Sequence, residues 1–221
     1  MIWKIPLADL NYNEQEENAV ISVLRSKWLT MGDVTNHFEQ SFSDMTGSPH
    51  CLSVSNATEA LHLACVALGI GPGDEVIVPS LTFVATANAV LYTGARVTFA
   101  DITGPNDLTI SPTSIQAAIT PRTKAIIVMH YAGYPCDMPA ILEIARQHNL
   151  PIIEDAAHCP GATLNGQALG TWGEIGCYSF FSNKNLSTGE GGMLLTDRDD
   201  LAQQLRLLRS HGMTSLSWDR H

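Results

Sequence analysis

Three polar segments hold residue types that could do chemistry, and each follows an apolar stretch typical of a β-strand. They are residues 55–59 (Ser-Asn-Ala-Thr-Glu), residues 154–158 (Glu-Asp-Ala-Ala-His) and residues 179–192, which contain Lys184 and end in Gly-Glu-Gly-Gly. Sheets of parallel strands place their ligands at the carboxyl ends of the strands. We therefore expect the three segments to meet in one site.

Each segment alone has a plain structural explanation beside the functional one. Residues 55–59 offer N–H groups and hydroxyls to a phosphate, but an ordinary helix cap has the same composition. Asp155 ends an apolar stretch and needs a partner, which a protonated pyridine nitrogen or the following segment could supply. Lys184 is one of four lysines. Partial burial would lower its pKa and make it a nucleophile, whereas most lysines are simply exposed.

The three segments together match what pyridoxal phosphate (PLP) requires of a protein. The cofactor needs a cradle for its phosphate, a carboxylate for its ring nitrogen and a lysine for its aldehyde. The combination is far more specific than any one segment, and it predicts a PLP site.

On these residues the chain resembles the DegT/DnrJ/EryC1/StrS family of sugar aminotransferases, which have PLP fold type I. The resemblance runs from residues 5–7 through residues 28–32 (Trp-Leu-Thr-Met-Gly), residues 79–83 and the lysine segment to residues 211–212. It implies that Lys184 forms a Schiff base with PLP and moves a proton between carbon atoms. It also implies that Asp155 pairs with the ring nitrogen.

The resemblance extends to five further site residues. It implies that His158 lies near the ring and its 3-hydroxyl, that Ala57, Thr58 and Ser179 contact the phosphate, and that Phe83 stacks on the ring. Family members often have glycine at the position of Ala57, a departure that leaves the backbone donors in place. Relatives that are dehydratases have histidine in place of the lysine, so Lys184 argues against that branch.

The function implied by the resemblance is transfer of an amino group from an amino acid, glutamate, to the keto group of a nucleotide-linked sugar. Residues 119–127, 130–133 and 136–138 are similar to enzymes that aminate a 4-keto nucleotide sugar. A homodimer is implied, because fold type I sites form between two subunits. Family chains continue into a smaller C-terminal domain, so a truncated or non-catalytic PLP-fold module with little turnover is the alternative.

Alternating strands and helices must position these segments. From residue 50 onward the pattern predicts an α/β fold, with a mostly parallel mixed sheet flanked by helices. The division we expect is a helical segment at residues 1–48, with Gly32 between two helices, a PLP-binding large domain at residues 49–212, and a tail or truncation point at residues 213–221. The predicted strands are residues 51–54, 75–79, 96–101, 125–130, 152–155, 176–180 and 193–196, and the predicted helices are residues 58–68, 84–92, 112–119, 138–148 and 199–209.

Composition excludes several other classes of function. A net charge of −10 with 12 basic residues argues against an extended nucleic-acid surface. No apolar run is long enough for a signal peptide or a membrane span, and five cysteines without a CxxC pair indicate reduced thiols in a cytoplasmic protein. The histidines are too scattered to predict a metal site. Residues 69–73 (Gly-Ile-Gly-Pro-Gly) follow a helix and indicate a turn rather than a dinucleotide site.

Overall fold

A computed structural model describes residues 9–213, and within these residues seven strands form the central sheet. In the sheet order β1-β11-β10-β7-β6-β2-β3, β11 runs antiparallel to both its neighbours and the other pairs are parallel. The strands in chain order are β1 (His50–Val54), β2 (Glu75–Pro79), β3 (Arg96–Ala100), β4 (Ile102–Gly104), β5 (Asp107–Ile110), β6 (Thr123–Met129), β7 (Ile152–Asp155), β8 (Thr163–Leu164), β9 (Gln167–Ala168), β10 (Ile175–Ser179) and β11 (Gly192–Thr196). The predicted mostly parallel mixed sheet is confirmed.

Helices flank this sheet as expected for an α/β fold. They are α1 (Glu14–Ser26), α2 (Asp33–Thr46), α3 (Ala57–Ala67), α4 (Val84–Tyr92), α5 (Pro112–Ala118), α6 (Met138–His148) and α7 (Asp199–Leu208), with a 3₁₀ turn at Tyr131–Gly133. Gly32 lies between α1 and α2, as predicted. The sequence did not predict the 3₁₀ turn or the small hairpins β4–β5 and β8–β9.

Local chemistry explains where several of these elements begin and end. The Asn56 side chain accepts a hydrogen bond from Glu59 N at 2.8 Å and caps α3. Ser111 caps α5, whose first residue is a proline. Asn149 adopts a left-handed conformation (φ 54°) and ends α6. These are the residue types that helix ends favour, and they fix where each strand can start.

Alternate faces of the strands pack against different helices. On β2, Val76 and Val78 belong to the apolar cluster under α3, α4 and α7, whereas Ile77 belongs to the cluster under α5 and α6. All five residues of β2 are buried. Burial on both faces explains why such strands are continuous apolar runs rather than alternating ones.

Helix α2 packs on the sheet through aromatic side chains. The Phe42 ring contacts Tyr178 and Phe180 edge-to-face, with ring centroids 5.0 and 5.5 Å apart. The Arg209 guanidinium bonds Glu39 on α2 at 2.5 Å. Helix α1, by contrast, has no buried residue. The predicted division of the chain at residue 48 stays a prediction.

The cysteines, the glycine-rich turn and the lengths of the helices can also be compared with the predictions. All five cysteines lie within the described residues and are buried free thiols. Residues 69–73 form the expected turn, with Asp74 N donating to Gly71 O at 3.1 Å. None of the helices in residues 9–213 is long and apolar enough to cross a membrane. Residues 5–7 of the resemblance and residues 214–221 of the predicted tail lie outside the described residues.

Candidate active site

One cavity at the carboxyl edge of the sheet brings the predicted site residues together. It has a volume of about 850 Å³, and its lining includes all seven of them: Ala57, Thr58, Phe83, Asp155, His158, Ser179 and Lys184. The strands β1, β2, β7 and β10 end here because they run in the same direction. The common edge explains why segments more than a hundred residues apart converge.

Asp155 ends the central strand β7 and is 3% exposed. Its Oδ2 accepts a hydrogen bond from Thr86 Oγ1 at 2.7 Å, and its Oδ1 accepts one from Ala157 N at 3.2 Å. Burial raises the pKa of Asp155, while these hydrogen bonds and the charges of His158 and Lys184 oppose that rise. The site therefore holds a carboxylate that a cationic ligand would stabilise.

His158 is held in one tautomer by the backbone. Its Nδ1 accepts a hydrogen bond from Ala132 N at 3.2 Å, so the hydrogen of the neutral ring resides on Nε2. Burial, and then the nearby Lys184, lower the pKa of His158. Ala132 adopts a left-handed conformation with φ of 52°, which a non-glycine residue seldom adopts. The strained turn thus aims one N–H at His158.

Lys184 lies in the loop after β10, where its backbone N donates to Phe181 O at 2.9 Å. Burial lowers the pKa of Lys184, and Asp155 opposes this. Within residues 9–213 no hydrogen-bond partner is found for its ammonium group. A lowered pKa favours the unprotonated amine, which is the form that can act as a nucleophile.

The first turn of α3 offers backbone donors to the cavity. The first N–H groups of a helix have no carbonyl one turn earlier to bond. Asn56 accepts from Glu59 N, and the N–H groups of Ala57 and Thr58 have no partner among the described residues. The start of β11 lies against this turn, since a Cβ at Gly192 would come within 2.5–2.8 Å of Asn56 and Ala57 atoms. Free N–H groups at a helix N-terminus bind anions such as phosphate.

Ser179 and Phe83 complete the predicted set. Ser179 is buried at the end of β10, and its Oγ accepts a weak hydrogen bond from Phe181 N at 3.4 Å. Phe83 precedes α4 and is 65% exposed. Its ring therefore has apolar surface free to stack on a planar ligand.

The other acid of the β7 segment does not face the cavity. Glu154 is fully buried, and it accepts hydrogen bonds from Gly170 N, Trp172 N and Gly173 N at 2.8, 2.6 and 2.7 Å. His130 Nε2 lies 2.9 Å from the same carboxylate. Glu154 therefore links the loop at residues 170–173 to the loop that starts at His130.

Sequence reasoning missed several residues that line the cavity or support it. Thr86 was missed although it is a lone hydroxyl group in an apolar turn of α4, a signal that could have found it. Tyr131 and Ala132 come from the unpredicted 3₁₀ turn. Asn183 and Glu190 belong to the lysine segment but were not singled out. Among residues 9–213, no group of three His, Cys, Asp or Glu side chains is placed to hold a metal ion.

A sequence profile of the DegT/DnrJ/EryC1/StrS aminotransferase family matches residues 11–221. The chain belongs to this family. GDP-perosamine synthase of Caulobacter vibrioides is 47% identical over 211 residues, which are 95% of this chain and 57% of that protein. The chain spans about half the length of the curated relatives it matches.

Solved structures agree with the family assignment. Aminotransferase TlmJ from Streptoalloteichus hindustanus is 40% identical with a TM-score of 0.92, over 97% of this chain and 59% of that chain. The PLP form of the putative sugar aminotransferase Spr1654 from Streptococcus pneumoniae is 28% identical with a TM-score of 0.91, over 97% of this chain and 60% of that chain. These likenesses confirm the predicted fold of type I.

Proposed function

We propose that this chain is the cofactor-binding part of a PLP-dependent aminotransferase that transfers an amino group from glutamate to a keto group of a nucleotide-linked sugar. The observation that carries the proposal is that Lys184, Asp155 and the free N–H groups of α3 line one cavity. A relative named GDP-perosamine synthase and a structural neighbour in a PLP form support it.

The chemistry of the lining fits PLP group by group. The N–H groups of Ala57 and Thr58 would bind the doubly charged phosphate. The buried Asp155 carboxylate would gain the cation it needs from the protonated ring nitrogen. Phe83 would stack on the ring, and the amine of Lys184 would bind the aldehyde.

When bound, PLP supplies an electron sink for the carbanion that forms at the amino-bearing carbon. Lys184 Nζ, once released from the aldehyde, would be the base that accepts and returns the proton moved in the transfer, because its lowered pKa favours the unprotonated amine. Asp155 would keep the ring nitrogen protonated. His158 Nε2–H would donate a hydrogen bond at the ring oxygen, since its Nδ1 is occupied by Ala132.

A homodimer belongs to this proposal. Helix α4, which starts at the cavity, exposes Val84, Leu91 and Tyr92 by 54–59% each, and a second copy would cover such apolar side chains. Five buried free thiols favour a reducing compartment, so we place the protein in the cytoplasm. The keto sugar would enter from the open side of the cavity.

The test is amino-sugar formation from glutamate and a nucleotide-linked keto sugar, in this chain and in a version extended through a C-terminal domain of the family. Lys184→Ala should lower the rate by about 10²–10⁴-fold or more, since it removes the base. Lys124→Ala, at an exposed lysine on β6, is the control and should keep the parent rate. Activity in the extended version alone would identify this chain as the truncated module. Lys184→Ala at the parent rate would refute the proposal.

A further inference from the structure

Behind Asp155 lies a chain of two hydrogen-bonded threonine hydroxyls. Thr86 Oγ1 is 2.7 Å from Asp155 Oδ2, and Thr82 Oγ1 is 2.7 Å from Thr86 Oγ1. Thr86 is fully buried. Because an ionised carboxylate can only accept, Thr86 must donate to Asp155, and Thr82 must then donate to Thr86. Both O–H dipoles therefore point toward Oδ2.

We propose that Thr86, supported by Thr82, is a positioning residue that orients the Asp155 carboxylate and maintains its negative charge in the cavity. This rests on the proposed function, because the charge matters for a cationic ring nitrogen. The same helix, α4, begins beside Phe83. One rigid element would thus set both the stacking ring and the carboxylate beneath it.

The surroundings of Asp155 leave few other groups to maintain its charge. Burial raises the pKa of Asp155, and the Thr86 hydrogen bond is the strongest of the influences that lower it. The two nearby basic groups are His158 and Lys184, and burial lowers the pKa of each, which favours their uncharged forms. Hydrogen-bonded dipoles do not titrate, so they act at any pH.

The remaining titratable neighbours do not replace Thr86. Cys177, which pairs with Asp155 across β10 and β7, and Cys159 both have thiols whose pKa is raised by burial, so they are neutral. Glu154 is the preceding residue on β7, and its carboxylate is already bonded by three backbone N–H groups.

The first experiment measures unfolding of the cofactor-free protein by denaturant in a series of pH values that rises from about pH 4, near the pKa of an unperturbed aspartate. Asp155 has a raised pKa in the folded state, so folding stability falls as pH rises from its unfolded pKa through its folded pKa. Thr86→Val removes the hydroxyl and should raise the folded-state pKa of Asp155 further. The loss of folding stability then extends to higher pH. As pH rises through the folded-state titration of Asp155, the unfolding constant of Thr86→Val relative to the parent should then grow about tenfold for each unit of added shift.

Three variants control for the general cost of losing a buried hydroxyl. Thr46→Val removes a buried hydroxyl that bonds Phe42 O at 2.8 Å and lies outside the cavity, so its effect should not depend on pH. Thr86→Ser keeps the hydroxyl and should restore the parent profile. In an Asp155→Asn background, Thr86→Val should lose its pH dependence, because the titrating partner is gone.

The second experiment measures the affinity for PLP by absorbance titration of the parent, Thr86→Val and Thr86→Ser. We expect Thr86→Val to bind PLP about tenfold more weakly, because a rise of one unit in the pKa of Asp155 corresponds to a tenfold change in the equilibrium that favours its carboxylate. Thr86→Ser should match the parent. A Thr86→Val variant with the pH profile of Thr46→Val, or with parental PLP affinity, would overturn the inference. A parent that does not bind PLP in any version would instead refute the proposed function, and the stability profiles alone would then decide the coupling of Thr86 to Asp155.

Discussion

Glu154→Gln is a sharp test of the packing that supports the cavity, because the change keeps the shape of the side chain. Glu154 Oε1 accepts from Trp172 N and Gly173 N, and Oε2 accepts from Gly170 N and His130 Nε2. Four donors thus converge on two oxygens in a fully buried position. A glutamine amide has one oxygen and one NH₂ group, and the NH₂ group cannot accept a hydrogen bond.

The magnitude follows from counting the donors that lose their acceptor. Whichever oxygen the NH₂ group replaces, two buried donors are left unpaired, at about 1–3 kcal/mol each and so about 2–6 kcal/mol in total. In a chain of this size each kcal/mol lowers Tm by roughly 2–4 °C, which gives a drop of roughly 4–24 °C. His130 begins the loop to Ala132, so the His158 contact should loosen as well.

Thermal unfolding followed by circular dichroism at pH 7 measures this loss. Glu143→Gln is the control, because Glu143 is a half-exposed residue of α6 that pairs with Arg146 at 2.6 Å. Such surface changes stay within about 0.5 kcal/mol. If Glu154→Gln lowered Tm no more than Glu143→Gln, the inference that Glu154 fastens the two loops would be wrong.

Three other predictions concern the cavity and the core. Asp155→Ala should retain some PLP by absorbance but lose about 10²-fold or more of the amino-sugar activity, since the ring nitrogen loses the group that keeps it protonated; unchanged activity would remove Asp155 from the mechanism. Gly192→Ala should lower the free energy of unfolding in denaturant by about 1–3 kcal/mol and weaken PLP binding, because the added Cβ would overlap the Asn56 carbonyl. Gly71→Ala is the control: its Cβ would meet nothing within 4 Å, so the free energy of unfolding should not change. The five cysteines should not react with a thiol reagent in the folded protein and all should react once it is unfolded, since burial raises the pKa of thiols such as Cys65 to about 12; rapid labelling of the folded chain would contradict their burial.

The helices and strands were predictable because their signals are local. The helices predicted at residues 84–92 and 138–148 and the strands predicted at residues 75–79 and 152–155 have the bounds seen in the structure, and the other predicted elements differ by one or two residues at an end. The order of the strands was not predictable. Strand β11 has the same apolar character as its neighbours, yet it runs antiparallel between β1 and β10. That choice depends on pairing between distant segments, which no local pattern records.

The meeting of the predicted site residues in one cavity was foreseeable from strand direction, but their supports were not. Glu154 and Asp155 are neighbours on β7, so alternation of side chains along a strand sends them to opposite faces. The sequence alone could therefore have indicated that only one of these two acids faces the cavity. Thr86 could not be assigned to Asp155, because that contact depends on how α4 is rotated against the sheet.

The measurement that tests the central claim most directly is an absorbance spectrum of the purified protein with PLP, followed by borohydride reduction and mapping of the modified peptide. We expect a yellow complex and a pyridoxyl label on Lys184, with Lys124 unlabelled as the internal control. If the band appears only in a version extended through a C-terminal domain of the family, the label should still map to Lys184. That result would show that the added domain is needed for the cofactor to bind. No band in either version, or a label on another lysine, would contradict the account.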